Sequence, residues 1–448
     1  MCISVSELRL RDGLACKLII LGRRRTTMKK TGALLIGSAF AALSTQAIAT
    51  GFAVSEQSVS AQGTAFAGAA VLSENASNQW YNPATLAGLK KTEITAAVQQ
   101  VIIDTSFKAE GGSGPGDFED FSPVVGSAFL AIPLSDKMTF GLGINAPFGS
   151  KIDYEDNWGS VATDPLAPLS PTTGDRYATM SDLKAYNINP ALGVQVTDRL
   201  RLGVGVSYQR LEADLESSFT RLEGDDDAYG WNVGLVFDAD DNNHFGLAYR
   251  SAVEYDLDGD ITFSPLPLVA SGQPLPVATA LAGKYSGSTS VDLPASAQFS
   301  YAGDLSERTQ ILFGVEWMEW SSLDELVVDH SGAPIPSPAV QEFGWGDTTR
   351  FSAGVRHVLA KGTVLRGGVY KENSTQSSEN RSPASPDSDK IGVSIGAGFN
   401  PTDNMTIDVV YSHIFIDDAE TNLTERGLLK GDFELDADII GAQLSYRF

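Results

Sequence analysis

Beyond residue 49 the 448-residue chain has no cysteine, because Cys2 and Cys16 both lie ahead of that point. That excludes a disulfide framework and a thiolate metal cluster for any protein that starts there. Long apolar runs are missing too, none approaching the ~18 residues that a membrane helix needs. Histidine is scarce. His244, His330, His357 and His413 fall in a turn, a loop and two separate strands, and no Ser/His/Asp or metal-ligand spacing gathers around them. The sequence therefore argues against an enzyme and against a resident cofactor or metal. Basic residues are also few, 32 Lys/Arg against 56 Asp/Glu. The acidic run Asp225-Asp226-Asp227 could in principle chelate a divalent cation, but isolated carboxylate clusters are usually solvated.

The amino terminus reads as an export signal. Met28-Lys29-Lys30 is a short basic region, Gly32 to Leu43 an apolar core, and Ala47-Ile48-Ala49 a small-x-small cleavage site. Residues 28–49 are thus expected to be a signal peptide and 1–27 an upstream extension, with the mature chain starting at Thr50. Removing residues 1–49 takes away 8 Lys/Arg and 2 Asp/Glu. This leaves 24 against 54, a net charge near −30. Nucleic acid is not a plausible partner for such a surface.

What the chain has in abundance is glycine, 44 residues, and alternation with a period of two. Ile440, Ala442, Leu444, Tyr446 and Phe448 share one face of the last segment, while Gly441, Gln443, Ser445 and Arg447 share the other. Leu202, Val204, Val206 and Tyr208 alternate in the same way with Gly203, Gly205 and Ser207. From Ile440 to Phe448 a strand would span roughly 26 Å. Tilted, it would project to about 20 Å, near the ~25 Å apolar band of an outer-membrane wall. The next residues on that face are Asp438 and Asp436, which carboxylates would avoid inside lipid.

Fourteen such strands are expected, near 92–104, 122–133, 137–147, 182–196, 200–219, 228–237, 244–263, 287–302, 308–320, 348–358, 363–371, 389–399, 405–416 and 433–448. Short polar turns alternate with longer links, roughly 105–121, 148–181, 220–227, 264–286, 321–347, 372–388 and 417–432. An even, closed, antiparallel transmembrane β-barrel over 92–448 satisfies this pattern, with both termini at the periplasmic end. Fourteen strands enclose a lumen wider than side chains readily fill. Residues 50–91, rich in small residues, are the expected plug. There Asn82 is a good helix N-cap and Pro83 suits the first helical position, so a short helix from Pro83 to about Gly88 follows. So short a helix persists only if something encloses it.

The chain resembles the FadL family of outer-membrane transporters of long-chain fatty acids and, in some relatives, aromatic hydrocarbons. The resemblance runs from Thr50 to Phe448. It is carried by Gly51-Phe52, Asn82-Pro83-Ala84, Gly174-Asp175-Arg176-Tyr177-Ala178, Asn187-Ile188-Asn189-Pro190, Asn242 to Ser251, Trp317 to Ser321, Asn380-Arg381-Ser382 with Pro386-Asp387, and the terminal Phe448. It implies a fourteen-stranded barrel with an N-terminal helical hatch in the lumen, in the outer membrane of a Gram-negative cell. It also implies a ligand path from the outside into a greasy pocket, then sideways through a gap beside a kinked third strand.

Several residues fit that scheme on their own chemistry. Gly141 and Gly143 weaken the third strand and Pro147 cannot donate a ladder hydrogen bond, so a kink is expected there, with Phe140 and Phe148 as ligand contacts. Leu166 and Leu169 in one long loop, and Leu266 and Leu268 in another, suggest a capture groove for an oily molecule. By position in the fifth strand, Arg210 matches an arginine that the resemblance places near the ligand head group. Parity, however, sets it among the lipid-facing residues unless a bulge intervenes. A lysine implied just ahead of Asp347 is absent, since Gly346 stands there. Tyr446 and Phe448 form a terminal aromatic signal for the barrel-assembly machinery.

The expected partners are therefore a hydrophobic small molecule, outer-membrane lipid and lipopolysaccharide, around a monomer with no cofactor. Long-chain fatty acids are the first expected cargo. Aromatic hydrocarbons are an alternative within the family, and general passage of hydrophilic solutes is an alternative outside it.

Overall fold

In the computed structural model the described residues are 51–110, 122–155, 158–159, 174–265, 269–270, 273–274, 282–333, 337–359, 362–424 and 429–448. Fourteen antiparallel strands close into a barrel. The first six positions are Glu93–Ala109; Val124–Ser135; Met138–Asn145 resumed as Gly149–Asp153; Met180–Thr197; Leu200–Glu216; and Thr220–Asp238. The seventh to tenth are each in two pieces: Asn243–Arg250 with Val253–Phe263, Gly283–Leu293 with Ser296–Ser306, Thr309–Met318 with Glu325–His330, and Ala339–Glu342 with Thr348–Val358. The last four are Val364–Glu372, Lys390–Thr402, Met405–Ile416 with Ala419–Leu423, and Leu429–Arg447. The first strand pairs with the last from Glu93↔Arg447 to Ala109↔Gly431, which closes the cylinder.

The wall has two regimes. In its lower part the outward face is apolar: Leu202, Val204, Val206, Trp231, Ile440 and Leu444 are all exposed there, as lipid-facing residues must be. Above that belt the alternation inverts. In Val253–Phe263 the residues Val253, Tyr255, Leu257, Ile261 and Phe263 are buried inward, while Glu254, Asp256 and Asp258 face out. In the last strand Asp432, Glu434 and Asp436 are exposed on the same face as Ile440, and Phe433, Leu435, Ala437 and Ile439 fill the interior. The strands thus continue past the hydrocarbon with acid outside and oil inside.

This inversion corrects several strand limits. The expected long link 220–227 is strand: the sixth strand begins at Thr220 after a turn at 217–219. The first strand runs on to Ala109, the third resumes at Gly149, and 417–432 is largely a hairpin extension. A search for an oily outer face stops where lipid stops, whereas the ladder does not.

The plug lies inside. It holds a helical turn at Val59–Gln62 and 3-10 turns at Ala76–Trp80 and Pro83–Gly88. As expected, Asn82 caps the last of these, its side-chain oxygen accepting from the Ala84 amide at 2.9 Å, with Pro83 in the first turn. The Asn82 amide group also donates to the Leu235 carbonyl of the wall at 2.9 Å. A row of glycines admits this helix. Gly193 pairs with Gly203 and Gly203 with Gly234, on three successive strands. A Cβ on Gly203 would lie 2.2 Å from the Ala84 nitrogen, and one on Gly234 2.0 Å from the Asn82 oxygen. Only glycine lets plug backbone touch wall backbone there.

Candidate ligand cavity and wall gap

Above the plug, the inverted region forms a cavity. Leu183, Leu211, Leu215, Leu222, Leu257, Val291, Leu293, Leu326 and Val328 are among its lining residues. Each sits on a strand at the inward parity, which the acidic outward neighbours enforce. Its floor is aromatic. Phe52, just after Gly51 at φ +61°, meets Trp320 at 5.0 Å, Trp345 at 6.0 Å and Phe148 at 6.1 Å between ring centroids. A Cβ on Gly51 would strike Trp320 at 2.8 Å, so both the backbone angle and the ring demand glycine.

Below this floor charged and polar side chains enter the lumen. A second cavity there is bordered by apolar residues such as Val54, Pro147 and Phe148 together with Ser55, Trp80, Asn232, Arg250 and Glu316. The Arg250 guanidinium lies 3.9 Å from the centre of the Trp80 ring and donates to the Trp80 carbonyl at 2.8 Å. Arg350 pairs with Glu316 and donates to Ser55 Oγ at 2.9 Å. Glu74 of the plug is held by Arg356 and by Arg366, the latter at 3.1 Å, and Arg366 reaches Asp408 at 2.8 Å. Glu93 accepts from Arg447 and from the Ala76 amide, both at 2.7 Å. These buried pairs tie the plug to the wall. Burial pushes the Glu56 carboxyl of the plug up to about 7, against the opposing pull of Arg350.

The third strand is interrupted where the plug begins. Between the pairs Asn145↔Asn187 and Gly149↔Lys184 the third strand has three residues and the fourth two, a one-residue bulge. The backbone there pairs with the plug: the Val54 amide donates to the Pro147 carbonyl at 2.8 Å, and the Gly149 amide to Phe52 at 2.8 Å. Gln57 Nε2 adds a bond to the Ala146 carbonyl at 2.7 Å. The second strand pairs with the third only as far as Ala128↔Ile144, and Gly149–Asp153 pairs with the fourth strand alone. Among the described residues no ladder pairing joins the upper second strand to the resumed third.

These positions sort the expected site residues. Phe148 is buried at the cavity floor and Pro147 lies in the interruption. Gly141 and Gly143 do not bend the strand, because both stay in unbroken register with both neighbours. Gly141 instead makes room for Gln79 and Leu86 of the plug, and Gly143 for Phe129. Phe140 is not a lumenal contact, since its parity with Leu142 and Ile144 sets it on the outer face. Arg210 is likewise outside. No bulge precedes it, so it follows Tyr208 on the outer face and pairs with Asp225 at 2.7 Å, Asp227 at 3.2 Å and Glu212 at 3.2 Å. Leu166, Leu169, Leu266 and Leu268 lie outside the described residues. Tyr446 and Phe448 are exposed at the lower rim, their rings 5.0 Å apart. The inward leucines and Phe52 were missed as lining. The alternation of leucine with aspartate in segments such as Leu257-Asp258 was the available signal.

Residues 40–448 match the family model of outer membrane protein transport proteins, OMPP1/FadL/TodX. The chain belongs to this family. It is thus an outer-membrane protein of a Gram-negative type, in a family of hydrophobic-compound transporters. A 47 kDa outer membrane protein of Pasteurella multocida is 25% identical over 92% of this chain and 98% of its own. The long-chain fatty acid transport protein of Escherichia coli K12 is 24% identical over 92% of this chain and 97% of its own. Among solved structures, a Pseudomonas aeruginosa FadL homologue superposes with a TM-score of 0.75 at 21% identity, covering 89% of this chain and all of that one. The Pseudomonas putida toluene transporter TodX gives 0.62 at 15% identity, covering 89% and 99%. At these identities the two structures establish the fold.

Proposed function

We propose that this FadL-family protein moves hydrophobic compounds passively from the outside into the bilayer. The cargo enters the leucine-lined cavity from the extracellular loops, shifts the plug, and leaves sideways through the gap beside the third strand. One observation carries this reading. The segment Phe52–Val54 forms the cavity floor and also supplies hydrogen bonds to the wall at the gap, between Val54 and Pro147 and between Gly149 and Phe52. A ligand pressing on Phe52 acts on the same backbone that covers the opening. Its binding energy can shift the plug only by the difference in affinity between the two plug positions.

Names of the relatives suggest two cargo classes, long-chain fatty acids and monoaromatic hydrocarbons. Lateral exit avoids the charged lipopolysaccharide layer, which resists oily solutes. Tyr446 and Phe448 are offered as the signal to the barrel-assembly machinery, and the barrel is proposed to act as a monomer. The rival is a general pore for hydrophilic solutes.

Liposome swelling separates the readings. The intact barrel should pass small sugars slowly and take up a hydrophobic probe, and deletion of residues 52–89 should turn it into a leaky pore. Rapid sugar flux through the intact barrel would favour the rival.

A further inference from the structure

We infer that the cavity accepts its cargo in uncharged form, a neutral hydrophobic molecule or the protonated form of an acid, and has no cation with which to hold a carboxylate. The inference rests on the transport reading above and names the chemical class of the ligand. Among the described residues that line the cavity there is no lysine, arginine or histidine. The ionisable ones among these described residues are Glu223 and Asp260, and both are acidic. Both share Lys284 at the outer surface, Asp260 at 3.0 Å and Glu223 at 3.8 Å, so that lysine is already committed.

Cations nearer the cavity are engaged elsewhere. Arg210 stands on the outer face among Glu212, Asp225 and Asp227. Arg250 and Arg350 lie beneath the Phe52–Trp320 floor, one on Trp80 and the other on Glu316. Outside, Glu254, Asp256 and Asp258 line the upper wall, so the field at the mouth repels anions. An ionised carboxylate brought into such a cavity loses its hydration without gaining a partner, and the group protonates instead.

Two probes of equal chain length test this: 1-dodecanol and dodecanoate, titrated into the full barrel in non-ionic detergent. A change in intrinsic tryptophan fluorescence reports binding, and protein-free micelles correct for partitioning. Dodecanol affinity should not change with pH. Dodecanoate affinity should fall about tenfold per pH unit above the acid's own pKa, because one proton must be taken up on binding. A dodecanoate affinity that is flat with pH and equal to or above that of dodecanol would overturn the inference and leave hydrophobic transport intact. Failure of both probes to bind would overturn both. Leu257→Trp, which fills the cavity, should abolish dodecanol binding, with Leu326→Trp as the alternative should the first not fold. Unchanged binding in a folded variant would place the ligand elsewhere and defeat the proposal.

Discussion

The amide of Gly149 donates to the carbonyl of Phe52 at 2.8 Å, joining the resumed third strand to the first residues of the plug. A strand edge that would otherwise pair with its neighbour in the wall is satisfied from inside the lumen. Buried backbone groups need partners, so the gap can exist only while the plug segment supplies them or while another occupant does. The cavity floor and the wall opening are in this sense one structural unit.

Removing the extra residue should close the gap. Deletion of Pro147 leaves two residues on the third strand opposite the two of the fourth, which restores an unbroken register between Asn145 and Gly149. Uptake of a hydrophobic probe into vesicles should then fall by an order of magnitude or more, while binding in the upper cavity persists. Equal uptake rates in the deletion variant would remove the lateral route.

The glycine row makes a different prediction. Gly203→Val would set a side chain against the Ala84 backbone, with no flexible group that could give way. The barrel should still form, because the ladder is unaffected and valine suits a strand. The Pro83–Gly88 helix should be displaced, and sugar flux in liposome swelling should rise. A folded Gly203→Val barrel as tight as the parent would show that the contact does not seat the plug.

Much of this architecture was legible in the sequence, and the reason is physical. Lipid imposes a strict rule on outward residues, so Leu202 to Tyr208 and Ile440 to Phe448 reveal strands, strand number and the lower boundary of the wall. The Asn82-Pro83 cap is equally local and equally readable. The upper wall obeys a different rule. There water is outside and ligand inside, so Leu257 and Asp258 exchange the roles that Leu444 and Gln443 hold below, and the inward leucines were passed over. Gly141 illustrates a second limit. Glycine in a strand signals either a bend or a close neighbour, and only the position of Leu86 decides which.

The charge network of the plug floor can be tested at Glu74. Its carboxylate sits between Arg356 and Arg366 in a buried setting. Glu74→Gln leaves two guanidiniums short of a counter-charge, a change that in buried pairs costs ~3–5 kcal/mol. Hydrogen exchange at plug amides should accelerate by more than a hundredfold while wall amides remain protected. Uniform exchange in parent and variant would mean that the network contributes little to seating. An additional Asp408→Asn change should couple to the first, because Arg366 bridges the two carboxylates.

Acidity should act on the plug through Glu56. Burial raises its carboxyl from 4.5 to about 7, Arg350 opposes the shift, and one carboxylate oxygen has no hydrogen-bond partner among the described residues. A carboxyl raised in the seated state binds a proton more tightly there than when released. Its contribution to seating is therefore complete below about 4.5 and is lost as pH rises through about 7. Plug amides in the parent should exchange faster, relative to intrinsic rates, at pH 8 than at pH 5. Glu56→Gln, which keeps the shape of the protonated acid and cannot ionise, should hold the low-pH protection across the whole range. If the parent and Glu56→Gln show the same pH profile, the carboxyl is ionised in the seated plug and Arg350 outweighs burial.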